Sequence, residues 1–91
     1  MATVLLSYDL NAPGKKYEEL YEKIKAYGTW CRVVESTWIV LNASATASSV
    51  YEDLRTVLDD SDKIVCVDIT GSALYGWLDE ATLEWLKKVT L

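Results

Sequence analysis

The sequence predicts one α+β domain, in which two helices cover one face of a four-stranded antiparallel sheet and a helical tail follows. Two observations carry this prediction: apolar residues recur with helical and strand periods in turn, and the segments follow the order β-α-β-β-α-β. The chain has 91 residues, of which 51% are hydrophobic and 25% charged. This length and composition are typical of a single globular domain, so residues 1–91 are assigned to one unit.

The first strand and the first helix have clear signals. Residues 3–10 are rich in strand-forming types and end at the turn-forming residues 11–14, Asn-Ala-Pro-Gly. An apolar stripe at helical spacing begins at Tyr17 and ends at Tyr27, and Gly28 follows as a stop signal. The stripe consists of Tyr17, Leu20, Tyr21, Ile24 and Tyr27.

Two strands and a second helix are predicted next. Residues 30–34 and 37–42 read as strands of a hairpin that turns at Glu35 and Ser36. A second helical stripe runs from Ala47 to Leu58, and a hydroxyl before it would cap the helix. Ser44 and Thr46 are the two candidates for that cap.

The last predicted elements are a strand at residues 63–69 and a helix at about residues 80–88. Asp79 precedes that helix and is a good N-cap, since its carboxylate can accept a free N–H of the first turn. The element order is the split βαβ pattern of ferredoxin-like folds, with predicted strand order 4-1-3-2. Right-handed crossovers then place the first two helices on one face of the sheet.

Strand alternation assigns side chains to the two faces of the sheet. The helix-covered face is assigned Val4, Leu6, Tyr8, Val65, Val67 and Ile69. The open face is assigned Leu5, Ser7, Asp9, Ile64, Cys66 and Asp68. This second set is too apolar for a solvated face, so we expect the chain to form a homodimer through the open sheet face.

Composition excludes several classes of function. The net charge of −5 argues against a broad nucleic-acid-binding surface, and the absence of His excludes a zinc site with nitrogen ligands and the Ser-His-Asp type of catalysis. Cys31 and Cys66 fall on opposite edge strands of the predicted sheet, so we expect two free thiols. No signal peptide or membrane-spanning segment is visible, which predicts a cytoplasmic protein without a membrane partner.

Asp9 is the one residue singled out as a functional candidate. It ends the first strand, and Asp is depleted from strands. Two Asp9 carboxylates facing each other across a dimer axis could hold one Mg²⁺ or Mn²⁺. Alternatively, Asp9 accepts backbone N–H bonds of the turn that follows. Asp68 is expected opposite Thr3, too far away to pair with Asp9. Residues 60–62, Asp-Ser-Asp, are interpreted as a solvated acidic loop.

Several short motifs resemble a known superfamily. Tyr8-Asp9-Leu10 closes the first strand, Tyr27-Gly28 ends the first helix, and Ser-Thr-Trp at residues 36–38 opens the third strand. This pattern resembles the CRISPR-associated protein 2 superfamily. It is closer still to small proteins of the "SinR family", which share the motifs at residues 7–11, 28–30 and 35–40. The similarity covers about residues 3–78.

The resemblance implies a ferredoxin-like homodimer. In the superfamily, the acid that matches Asp9 is associated with divalent-metal nuclease activity, and the same fold also serves as a non-catalytic bridge in spacer integration. The VapD-like toxins, ribonucleases of this fold, carry a comparable first-strand Asp. One hypothesis is therefore a Mg²⁺- or Mn²⁺-dependent endonuclease acting on RNA or DNA, related to defence or toxicity, with Asp9 as catalytic residue and ligand. The other is a non-catalytic homodimer that binds a protein or small ligand.

Overall fold

The computed structural model describes residues 2–11 and 17–91 of the chain. In order along the chain, the elements are β1 (Ala2–Asp9), α1 (Glu18–Lys25), β2 (Thr29–Val34), β3 (Thr37–Asn42), α2 (Ala47–Arg55), β4 (Lys63–Asp68) and α3 (Glu80–Lys88). The element order confirms the prediction, and boundaries differ by one to a few residues. The turn predicted at residues 11–14 lies, apart from Asn11, outside the described residues.

The strands form one antiparallel sheet in the order β2-β3-β1-β4, as predicted. The central strand β1 pairs with β3 on one side, where Val4 lies opposite Val40. On its other side it pairs with β4, where Leu6 lies opposite Cys66. β2 and β4 are thus the two edge strands, and β2 carries a register irregularity between Arg32 and Val34.

The hydrophobic core lies between the sheet and the first two helices. Val4, Leu6 and Tyr8 project from β1 into this layer. The helical stripes supply the opposite wall through Leu20, Ile24, Val50 and Leu54, all fully buried. Burial of such a side chain contributes about 1.5–3 kcal/mol, so these contacts hold the helices on the sheet.

The face assignment predicted for β4 is wrong by one position. Because Leu6 pairs with Cys66, Cys66 shares the helix-covered face, as does Ile64, and both pack against the core. Val65 and Val67 consequently lie on the opposite face and are exposed. In a strand that is apolar at every position, either set of alternating residues could face the core. Only the register of pairing with the neighbouring strand determines which set does. The same register places Asp68 opposite Val4 rather than Thr3.

The second face of the sheet is only half open, which corrects the expectation of a bare face. α3 packs against β2, and its Thr82 is buried. Ile39 of β3 is fully buried although it lies outside the core under α1 and α2. Here the part of this face formed by β1 and β4 is called the open half; its residues are Leu5, Ser7, Asp9, Lys63, Val65 and Val67.

The helix caps follow the predicted chemistry. Thr46, one of the two candidates, caps α2: its hydroxyl accepts from the Ser49 N–H at 3.0 Å, while Ser49 Oγ accepts from the Thr46 N–H at 2.8 Å. This reciprocal pair is a capping box. The Asp79 carboxylate caps α3 by accepting from the Thr82 N–H at 2.8 Å, as predicted. Gly28 has a φ of 97°, which non-glycine residues rarely adopt, and it turns the chain from α1 into β2.

Both cysteines are free, in agreement with the prediction. Cys31 lies on β2 and Cys66 on β4, at opposite edges of the sheet. Among the described residues, no helix has the length and apolar character needed to cross a membrane.

Candidate functional site

Asp9 is the last residue of β1 and lies at the rim of the open half. It is exposed and sits directly opposite Lys63 in the β1–β4 ladder. Its main-chain carbonyl accepts from Asn11 Nδ2 at 3.3 Å. Its carboxylate has no hydrogen-bond or ion-pair partner within residues 2–11 and 17–91. In the alternative role, Asp9 accepts N–H bonds of the turn at residues 11–14. The Asn11 N–H is donated to Asp62 at 2.7 Å instead, and residues 12–14 lie outside the described residues.

A shallow groove of about 280 Å³ runs beside Asp9, lined by Ser7, Tyr8, Asp9, Lys63, Ile64 and Val65. Ser7 Oγ lies 3.0 Å from Thr37 Oγ1, a hydrogen bond that joins β1 to β3. The groove therefore combines a carboxylate, an ammonium and a hydroxyl on the open half. These groups are suited to a small anionic or cation-bridged ligand.

Asp62 organises the loop beside this groove, a role that the sequence analysis missed. Its carboxylate accepts from the Asn11 N–H at 2.7 Å, the Tyr17 hydroxyl at 2.7 Å and the Asp59 N–H at 2.8 Å. Asp62 thereby ties the α2–β4 loop to the end of β1 and the start of α1. The interpretation of residues 60–62 as a solvated acidic loop is wrong for Asp62, whose carboxylate accepts these three bonds. The spacing of Asp59 and Asp62, three residues apart in a loop, is the local turn signal that could have indicated that Asp62 organises this loop.

The other loop acids are also engaged. Asp59 Oδ1 accepts from the Ser61 N–H at 3.3 Å, and Asp60 forms a 2.9 Å ion pair with Arg55. Within the described residues, Asp9 thus differs from these loop acids, because its carboxylate has no partner and is available for a ligand.

A cation bound at Asp9 would need further ligands. In the described part of the chain, no three or more His, Cys, Asp or Glu side chains are grouped as they would be in a metal site. Hard cations such as Mg²⁺ and Mn²⁺ prefer carboxylate oxygens and keep several waters. One Asp9 fits such a site as a contributor, and a second copy of the chain is the simplest source of another carboxylate.

Asp68 lies too far from Asp9 to form a pair with it, as predicted. It lies five positions away along the sheet, opposite Val4. Its Oδ1 accepts from the Thr70 hydroxyl at 2.6 Å and from the Thr70 N–H at 2.9 Å. These bonds lower the pKa of Asp68 by stabilising its charged form.

A second polar cluster lies on the helix-covered side of the same end of the sheet. Tyr8 Oη accepts from Trp38 Nε1 at 3.0 Å and donates to the Glu35 carbonyl at 3.3 Å. Burial is the main cause that raises the pKa of Tyr8. Trp38 itself is buried, with 1% of its surface exposed.

A third cluster joins α1 to α2. Asp53 accepts from Lys23 Nζ at 2.9 Å and from the Tyr27 hydroxyl at 2.9 Å, beside a groove of about 280 Å³. The bond from Lys23 is the main cause that lowers the pKa of Asp53. Burial, reinforced by the bond to Asp53, raises the pKa of Tyr27. Each polar group here has a partner, so the cluster fastens the two helices together.

Comparison with protein-family models finds no match, and comparison with curated protein sequences finds none either.

Proposed function

We propose that the chain is a homodimeric, metal-dependent endonuclease with a ferredoxin-like fold, in which Asp9 from each protomer holds a divalent cation. The observation that carries this proposal is the exposed Asp9 carboxylate, which has no partner among the described residues while the neighbouring loop acids are engaged. The order of elements and the strand order β2-β3-β1-β4 support the ferredoxin-like fold.

Exposed apolar side chains support the dimer. On the open half, Val65 is 54% and Val67 44% exposed. Between β4 and α3, the side chains of Tyr75 and Trp77 are almost completely exposed, at 94% and 103%. A small domain gains free energy by covering such surface, and a two-fold axis would match the open half with itself. Such an axis near the rim would bring the two Asp9 carboxylates together.

The remaining groups of the groove suit phosphodiester hydrolysis. Bound between two carboxylates, Mg²⁺ or Mn²⁺ would polarise a phosphoryl oxygen and acidify a water molecule. Lys63, opposite Asp9 in the ladder, would place an ammonium near a phosphate oxygen. Ser7 would hold its hydroxyl at the floor of the groove, oriented by Thr37.

The test replaces Asp9 with Asn, which keeps the shape of the side chain and removes its charge. Purified wild type should cleave labelled single-stranded RNA or DNA with Mn²⁺, and Asp9→Asn should abolish cleavage while the dimer persists. Asp60→Asn is the matched control, since Asp60 lies in the adjacent loop and pairs with Arg55. Equal cleavage by wild type and Asp9→Asn would exclude Asp9 as the ligand.

A non-catalytic homodimeric binding module is the second candidate. The net charge of −5 and the acidic residues 59, 60 and 62 beside the groove favour it, because they repel a polyanionic substrate. It predicts a stable dimer that cleaves neither RNA nor DNA with Mg²⁺ or Mn²⁺ present. The cleavage assay therefore separates the two candidates, and sedimentation tests the dimer that they share.

A further inference from the structure

A continuous row of cations and aromatic rings lies on the helix-covered side of the edge strand β2. Lys25 Nζ is 5.4 Å from the centre of the Trp30 ring, and the Trp30 and Trp38 ring centres are 5.3 Å apart. The Arg32 guanidinium follows, 5.1 Å from the Trp38 ring. Trp38 is buried, but Trp30 is 36% exposed and both cations are exposed. The accessible part of the row is therefore Lys25, Trp30 and Arg32.

Arg32 is held in place without a carboxylate partner among the described residues. Its guanidinium lies against the rings of Tyr21 and Trp38, at 4.9 and 5.1 Å. Its Nε donates to the Glu35 carbonyl at 2.9 Å, and one terminal nitrogen donates to Tyr8 Oη at 3.4 Å. These contacts fix the guanidinium plane and leave further N–H groups available. A fixed, unpaired guanidinium is well prepared to bind an anion.

Lys25 is the second cation of this surface. It lies in the last turn of α1 and, like Arg32, forms no ion pair within the described part of the chain. Lys23, Arg55 and Lys87 differ, since each pairs with a carboxylate. Within the described residues, Lys25 beside the exposed Trp30 and Arg32 against the adjacent Trp38 ring are both without an ion pair, and together they make a local positive surface on an acidic molecule.

We propose that this surface binds single-stranded nucleic acid, with one base stacked on Trp30 and the flanking phosphates bound by Lys25 and Arg32. Single-strand binding surfaces combine aromatic platforms with cations that follow the backbone, which is the combination present here. The exposed Lys25 side chain leaves the ring face as a base arrives and pairs with its phosphate. This surface lies on the opposite face of the sheet from Asp9, so the inference goes beyond the proposed function and does not depend on it.

The acidity of the whole molecule sets the conditions for binding. Because the net charge is −5, affinity depends on local cations and should be strong only at low salt. An acidic peptide would use the same two cations but would gain less from the flat Trp30 ring. Stacking thus favours a nucleic acid as the occupant.

The experiment measures anisotropy of a labelled ten-nucleotide oligo(dT) at 20–50 mM NaCl in EDTA, where metal-dependent cleavage cannot occur. Trp30→Leu should weaken binding about tenfold, because stacking of one base is lost and tenfold corresponds to about 1.4 kcal/mol. Lys25→Gln should lower the slope of log K against log salt concentration by about 0.7, the value for one phosphate contact on a single strand. Circular dichroism checks that each variant is folded.

Two matched controls locate the effect. Trp77→Leu removes an exposed Trp elsewhere, and Lys88→Gln removes an exposed Lys in the last turn of α3. Both should bind as wild type does. Absence of binding at 20 mM NaCl would overturn the proposal, as would equal losses in Trp77→Leu and Trp30→Leu. Preferential binding of a poly-glutamate peptide at Trp30 would also overturn it and assign the surface to acidic peptides.

Discussion

At the scale of single residues, Tyr8 connects the core to the end of the sheet. Its hydroxyl oxygen accepts from the buried Trp38 indole and from Arg32, and it donates to the β2–β3 turn. No residue in the described part of the chain has a buried side-chain nitrogen or oxygen without a hydrogen-bond partner. Tyr8 therefore completes the polar network beneath Arg32.

Tyr8→Phe is expected to destabilise the protein by about 1–3 kcal/mol, because the buried Trp38 N–H loses its acceptor. Urea unfolding followed by far-UV circular dichroism measures the change. Tyr51→Phe is the matched control: Tyr51 is exposed on α2, and removing its hydroxyl should change the free energy of unfolding by less than about 0.5 kcal/mol. Equal stability of Tyr8→Phe and wild type would show that this bond contributes nothing.

Asp53 predicts a pH dependence of stability. Its pKa is lowered from 3.8, mainly by the hydrogen bond from Lys23. A lowered folded-state pKa stabilises the protein above the unfolded pKa, and this contribution is lost as the pH falls through the folded value. The melting temperature of wild type should thus exceed that of Asp53→Asn at pH 7, with the gap narrowing below about pH 4. A gap that stays constant down to pH 2 would contradict the assignment. The effect should be modest, since the side chains of the pair are 37% and 40% exposed.

At the scale of elements, the caps of α2 and α3 show which features the local sequence predicts. The sequence allowed Ser44 or Thr46 as the cap of α2, and the structure selects Thr46 through its bond to the Ser49 N–H. We expect Thr46→Ala to cost about 1 kcal/mol in urea unfolding. Ser44→Ala should have almost no effect, and a larger loss in Ser44→Ala than in Thr46→Ala would contradict the cap.

The elements themselves were predictable because helical and strand periods differ, and Asp79 was recognisable because N-caps need a side-chain acceptor. The side of β4 that faces the core was not predictable. Residues 64–67, Ile-Val-Cys-Val, are apolar at every position, so their alternation does not show which face points to the core. The register of pairing with β1 determines that face. The position of α3 over β2 is likewise a tertiary contact without a local signal.

For the candidate site, the sequence indicated Asp9 but not the role of Asp62. Three groups that donate to the Asp62 carboxylate come from distant or flanking loops, which no local pattern brings together.

At the scale of the whole molecule, the open half is the surface that a second copy should cover. Wild type should sediment as a dimer at micromolar concentration, and Val65→Lys should shift it toward monomer, since a charge would be buried in the apolar interface. Val34→Lys is the matched control, because Val34 is 49% exposed on the other edge strand. A wild type that sediments as a monomer without concentration dependence would remove the basis for the dimer.

The packing of α3 against β2 also bears on how many copies we expect to associate. An edge strand with free N–H and C=O groups can recruit further strands without end, which is how fibres grow. α3 packs against β2, and the register of β2 is irregular between Arg32 and Val34. The strand also carries the charged side chain of Arg32. Irregularities and charges of this kind discourage strand addition. We therefore expect association through the open half, whose surface a two-fold pair would cover, so that the proposed assembly would close at two copies instead of extending into a filament.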